Sequence, residues 1–129
     1  AVRFNNTELA HYRADGLIFS TPTGSTAYSL SAGGPFVAPD IDCMLLTPIC
    51  PHSLMSRPVV VGGDARLTAQ VTSRSGGDAY LTVDGDDALT LSPGTTVEVR
   101  RSPFTARLIK LKKDSFYTII NQKFAEGRE

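Results

Sequence analysis

The chain has 129 residues, 41% of them hydrophobic and 20% charged, enough for one domain with a buried core. Lys plus Arg number 13 and Asp plus Glu number 13, so the formal net charge is zero, which argues against a general nucleic-acid binder with its basic excess. No apolar run approaches the roughly 18 residues of a membrane span, no signal peptide is read at the start, and two cysteines are too few for a disulfide framework, so a reduced cytoplasmic protein is expected. The first residue is Ala rather than Met, set directly against a strand-like Val-Arg-Phe, so a piece of a longer chain is expected.

In chain order, Val2 to Phe4 reads as a strand, Asn5-Asn6 as a hairpin turn, and Thr7 to Tyr12 as the returning strand. Asp15-Gly16 is a further turn signal. Leu17 to Thr21 is predicted to be a short strand buried on both faces. Residues 25–32 read as a helix of about two turns, with Ser25 as its cap, Tyr28 and Ala32 on one face, and Gly33-Gly34-Pro35 as its stop. Cys43 to Ile49 is a strand expected to end at Pro48.

Further strands are predicted over Pro58–Val61, Ala65–Val71, Ala79–Val83, Ala88–Leu91, Thr95–Arg101 and Arg107–Leu111. The turns between them are Gly62-Gly63-Asp64, Ser75-Gly76-Gly77, Asp84-Gly85-Asp86-Asp87 and Ser92-Pro93-Gly94. This spacing predicts one all-β domain over residues 1–129, a sandwich or another layered form. At the end, Asp114 is a plausible cap for a helix whose Phe116, Ile119, Ile120 and Phe124 share one apolar face in need of a partner.

Five of the nine side chains in Ser20-Thr-Pro-Thr-Gly-Ser-Thr-Ala-Tyr28 are Ser or Thr hydroxyls, and none is charged. A turn of this kind at a helix start offers backbone N–H groups and hydroxyl donors to a ligand, and Gly24 lets that ligand approach closely. Lacking Lys and Arg, it suits sugar hydroxyls or a nucleoside better than a bare triphosphate. The plainer alternative is a capped turn that holds only itself.

Thr47-Pro-Ile-Cys-Pro-His-Ser53 places Cys50 and His52 on a proline-stiffened loop. The spacing of Cys43, Cys50 and His52 fits neither a zinc site nor a recognisable Cys–His nucleophile. Val83-Asp-Gly-Asp-Asp87 concentrates carboxylates without the EF-hand pattern, so it reads first as a turn. The basic stretch from Arg100 to Lys113 reads as a solvated or edge-protecting face.

The run from Asp15-Gly-Leu-Ile-Phe-Ser-Thr-Pro-Thr-Gly-Ser-Thr-Ala-Tyr through Gly33-Gly-Pro35, followed by Thr47-Pro-Ile-Cys-Pro-His-Ser-Leu-Met-Ser-Arg-Pro58, resembles the C-terminal domain of bacterial NAD kinases. Val83-Asp84-Gly85 resembles that family's Asp-Gly element. The resemblance implies a β-rich, sandwich-like domain that supplies much of an NAD site. It also implies an N-terminal α/β domain with a Gly-Gly-Asp-Gly motif. The whole enzyme would transfer a phosphoryl group from ATP or inorganic polyphosphate, with Mg²⁺ or another divalent cation, to the 2′-hydroxyl of the adenosine ribose of NAD. Gly62-Gly63-Asp64 runs on into Ala65 and follows both NAD-site blocks, so it does not match that motif, and the resemblance assigns no catalytic residue and no metal ligand within these 129 residues.

Carried residue by residue, the resemblance places Thr23, Thr26, Ala27, Tyr28 and Ser31 against NAD, with Cys50 and His52 lining the pocket from the second block. Asp15 matches a position that contacts the dinucleotide in relatives, a subunit interface being one route. Asp84 and Gly85 approach from a neighbouring turn; some relatives have a ligand-touching side chain where Gly85 stands, and that contact is lost here. A homodimer or homotetramer is implied, with no nucleic-acid or membrane partner. Two alternatives stay open: the corresponding domain of a lipid kinase of the diacylglycerol or sphingosine type, and a non-catalytic nucleotide-binding or oligomerisation module.

Overall fold

A computed structural model describes residues 1–72 and 78–125. Strands β1 (Val2–Phe4) and β2 (Thr7–Ala10) form a hairpin whose two-residue loop has positive φ at both Asn5 (44°) and Asn6 (71°). That geometry suits the right-handed twist of a tight hairpin, and asparagine tolerates it better than most residues. The Asn5 side-chain oxygen also accepts the Arg66 N–H at 3.0 Å, which ties the turn to the approach to β6 (Leu67–Gln70). β6 then pairs with β1 and with β9 (Thr96–Val99), giving an antiparallel sheet in the order β2-β1-β6-β9.

A second sheet has the order β3-β4-β5, from β3 (Gly16–Ser20), β4 (Cys43–Ile49) and β5 (Val59–Gly62). Strand side chains alternate between faces, and β4 uses both. Met44 packs with Leu67 and Ala65, joined by Phe4, Phe19, Val61 and Val99. This cluster draws residues from both sheets and forms the core between the two layers. On the other face of β4, Cys43 and Leu45 pack under Val37. β7 (Ala79–Leu81) and β8 (Leu89–Leu91) make a separate antiparallel hairpin.

The all-β, sandwich-like expectation therefore holds, with most strand boundaries within two residues of those read from sequence. The differences have physical causes. The strand buried on both faces is β4; β3 is half-buried throughout. β4 also runs through Pro48 to Ile49: its pairing with β5 ends at Leu46, so Pro48 lies where one edge is open and a missing N–H costs no ladder bond there.

Residues 107–111 form no strand. Leu108, Ile109 and Leu111 supply apolar, strand-like residues, but all five positions are exposed and no neighbouring strand pairs with them. The expected turn at Ser75-Gly76-Gly77 lies outside the described residues.

The predicted two-turn helix over 25–32 is instead a 3₁₀ turn, Thr23–Thr26, followed by α1 (Tyr28–Ser31), with a break at Ala27 (φ −97°, ψ −128°). Short hydroxyl side chains compete for backbone partners and weaken a continuous helix. α1 ends as expected: Gly33 has φ 93°, its N–H donates to Leu30 O, and the Gly34 N–H donates to Ser29 O at 2.8 Å, a Schellman ending. The C-terminal helix α2 (Phe116–Ala125) is capped by Ser115 rather than Asp114, through the Thr118 N–H to Ser115 Oγ bond at 3.2 Å.

Candidate functional site

The hydroxyl turn begins where β3 ends, and most of its side chains first hold the turn itself. Thr21 Oγ1 accepts the Gly24 N–H at 3.1 Å. Ser25 is fully buried and is not a cap; its Oγ donates to Pro22 O at 2.6 Å and accepts the Val37 N–H at 3.2 Å, fixing the turn to the segment that follows α1. Thr26 Oγ1 donates to Thr23 O at 3.3 Å.

Below the turn, Ser29 Oγ and Thr47 Oγ1 share a buried hydrogen bond of 2.8 Å. Thr47 lies on the same face of β4 as Cys43 and Leu45, so this bond fastens α1 to the sheet. Ser25, Ser29 and Thr47 form the polar underside of the site. Sequence reading did not assign them this role; the signal was the close approach that Gly34 permits.

With its underside fixed, the turn presents Thr23, Thr26 and Tyr28 outward. Thr23 and Thr26 line a cleft of about 210 Å³ with Pro22, Val37 and the apolar face of α2. Tyr28 is 60% exposed, so its ring is available to a flat ligand. Ala27 and Ser31 flank it on the same short segment.

Asp15, Cys50 and His52 gather elsewhere. The Asp15 N–H donates to Ile49 O at 2.9 Å and the His52 N–H to Arg13 O at 2.8 Å, which closes the other end of the β3–β4 ladder. His52 Nε2 lies 3.7 Å from Asp15 Oδ1, with both side chains about two-thirds exposed. Such a pair contributes little to stability, at most about 1 kcal/mol, so both groups stay available to a ligand. Cys50, two residues before His52 on the same loop, is exposed and has φ 45°. β3 separates this group from the hydroxyl turn by about 17 Å at the usual rise per strand residue.

Asp84 (φ 50°) and Gly85 (φ 77°) form a type I′ turn closed by the Asp86 N–H to Val83 O bond at 2.9 Å. The turn reading of this acidic stretch is therefore correct. Among the described residues no hydrogen bond or ion pair links Asp84 or Gly85 to the other candidate residues.

Burial, then the nearby Asp42 carboxylate, pushes the Cys43 thiol above its ordinary range, the opposite of what a thiolate ligand needs. Among the described residues no three His, Cys, Asp or Glu side chains converge as a metal-ligand set. Nor is any helix among them long and apolar enough to cross a membrane.

These features define an antiparallel, two-layer β domain with a hydroxyl-rich turn that lines a surface cleft. The chain belongs to the ATP-NAD kinase C-terminal domain family, whose sequence model matches residues 1–111. It is 52% identical over 124 residues to an NAD kinase of Symbiobacterium thermophilum, covering 96% of this chain and 44% of that protein. It is 48% identical over 126 residues to an NAD kinase of Moorella thermoacetica, covering 98% of this chain and 40% of that protein. The chain thus spans less than half the length of these relatives.

Two solved structures share the fold. A yeast NADH kinase complexed with NADH superposes with a TM-score of 0.71 at 38% identity, covering 77% of this chain and 28% of that one. An NAD kinase from Archaeoglobus fulgidus in complex with ATP gives 0.70 at 31% identity, covering 80% and 39%. These matches support the NAD kinase reading and lend none to the lipid kinase alternative.

Proposed function

We propose that this chain is the NAD-binding part of an NAD kinase, which phosphorylates the 2′-hydroxyl of the adenosine ribose of NAD to give NADP. The observation that carries the reading is the family match over residues 1–111, which includes an outward-facing hydroxyl turn on a rigid underside. The phosphoryl donor is ATP or inorganic polyphosphate, and the full protein works in the cytoplasm. An N-terminal α/β domain with a Gly-Gly-Asp-Gly motif handles the donor and supplies the catalytic carboxylate. A divalent cation accompanies the donor's phosphates. Among the described residues no three His, Cys, Asp or Glu side chains converge, so the ligands of that ion would come mainly from the N-terminal domain.

The chain's own residues bind and orient the acceptor. Thr23, Thr26 and Ser31 offer hydroxyls to ribose and amide groups. The Ala27 backbone lets the ligand lie close, and Tyr28 stacks on a flat ring while keeping its own hydroxyl for a hydrogen bond. Asp15 accepts from an amine or amide, with His52 and Cys50 beside it, and Asp84 and Gly85 close on the ligand from their turn. The 17 Å or so between the Asp15 group and the hydroxyl turn suits a homodimer or homotetramer in which Asp15 of one copy completes the site of another. Held this way, the 2′-hydroxyl meets the donor in a fixed orientation, which is the main protein contribution to phosphoryl transfer.

The test is Tyr28→Ala in the full-length protein. Loss of a stacking ring is expected to lower kcat/KM for NAD by about ten-fold and to leave the KM for ATP within about two-fold. Unchanged NAD kinetics would refute the assignment of Tyr28 to the NAD site.

A further inference from the structure

The hydroxyl turn has no cation, yet NAD has a doubly negative pyrophosphate. The structure offers a charge from another element. Helix α2 lays Phe116, Ile119, Ile120 and Phe124 across the cleft from Pro22, Thr23 and Thr26, and Lys123 lines the same cleft. The Phe124 ring rests on Phe36 with centroids 5.2 Å apart, which fixes the last turn of the helix where Lys123 stands. Lys123 is the one charged residue lining this cleft among the described residues. α2 is joined to β9 by residues 100–115, all exposed and without helix or strand, so its position rests on the Phe124–Phe36 contact and the cleft it shares with the turn.

We infer that α2 is the second wall of the ligand site and that Lys123 binds a phosphate of the dinucleotide. This rests on the proposed NAD site at the hydroxyl turn. The cleft, about 210 Å³, is smaller than the usual ligand pocket of roughly 300–1,000 Å³, so it takes one portion of the dinucleotide and leaves the rest outside. Hydroxyls on one wall and, on the other, aliphatic and phenyl side chains with one lysine match a phosphate with its adjoining ribose. The lysine's long stem lies along the apolar wall while its ammonium reaches the anion. The turn then recognises neutral groups, and α2 supplies the counter-charge.

The test measures NAD dissociation constants for the full-length protein at low and high ionic strength in wild type, Lys123→Gln, Lys123→Arg and Tyr28→Ala. Lys123→Gln is expected to weaken NAD about five- to ten-fold at low salt, with a much flatter salt dependence, because an exposed charge contact is screened. Lys123→Arg keeps the charge and is expected to stay within about three-fold of wild type. Tyr28→Ala is expected to weaken NAD without changing the salt dependence. If Tyr28→Ala weakens NAD and Lys123→Gln does not, or if Lys123→Gln weakens it with the salt dependence intact, the α2 inference is wrong and the site reading stands. If Tyr28→Ala leaves NAD binding intact, the site reading itself fails and this inference with it.

Discussion

Ser29 Oγ and Thr47 Oγ1 share a buried hydrogen bond of 2.8 Å, and the backbone of Gly34 closes over it. A Cβ on Gly34 would stand 2.5 Å from Ser29 Oγ, 2.8 Å from Ser29 O and 3.0 Å from Thr47 Oγ1. The glycine is needed for that approach, and the approach seals the bond from water. Thr47→Val keeps the shape and leaves the Ser29 hydroxyl buried without its partner, a loss of about 1–3 kcal/mol. Thr47→Ser retains the oxygen and is expected to be the milder change. Gly34→Ala drives a methyl group into backbone and hydroxyl atoms that cannot both yield, at a cost of about 3 kcal/mol. Urea midpoints of the three variants check the order; a Thr47→Val protein as stable as wild type would mean that this bond does not anchor α1.

How much of this was legible follows from the range of the forces involved. Local signals carried well. Asn5-Asn6 and Asp84-Gly85 both form positive-φ turns, and Gly33-Gly34 ends α1, because turn chemistry is decided within a few residues. Strands were legible where alternation met a partner. Arg107–Leu111 has apolar, strand-like residues and forms no strand, since pairing depends on a neighbour that sequence pattern cannot supply.

The site divided in the same way. Thr23, Thr26 and Tyr28 were visible as an unusual cluster, and the structure turns them outward. The bond between Ser29 and Thr47, 18 residues apart in sequence, and the placing of α2 beside Thr23 are long-range facts. Ser25 reads as a helix cap from its neighbours alone. Its real partners, Pro22 O and the Val37 N–H, appear only once the chain has folded back.

The two cysteines should differ sharply in reactivity. Cys43 is buried in β4, and burial together with Asp42 raises its thiol pKa, so at any given pH it holds less thiolate than an ordinary cysteine. Cys50 is exposed on its proline-stiffened loop. At pH 8 iodoacetamide is expected to modify Cys50 under native conditions and Cys43 only after denaturation. Raising the pH toward 9 should leave Cys43 protected, because access as well as ionisation limits it. Peptide mapping by mass spectrometry distinguishes the two sites, and comparable native labelling at Cys43 would contradict its burial under Val37.

Activity of the 129-residue chain by itself tests how the proposed chemistry is divided. Its candidate residues are hydroxyls, an aromatic ring, a surface Asp–His pair and one helix lysine, all suited to holding an acceptor. Phosphoryl transfer also needs a donor site, charge neutralisation on its phosphates and a carboxylate near the attacking hydroxyl. The acids described here are dispersed: Asp15 faces His52, Asp42 pairs with Arg101 at 2.5 Å, and Asp84 lies in a hairpin turn. The isolated chain with NAD, ATP and Mg²⁺ is therefore expected to form no NADP, while the full-length protein does. An enzymatic cycling assay for NADP has the sensitivity required, and NADP made by the pure chain would place the donor site within these residues and overturn the division.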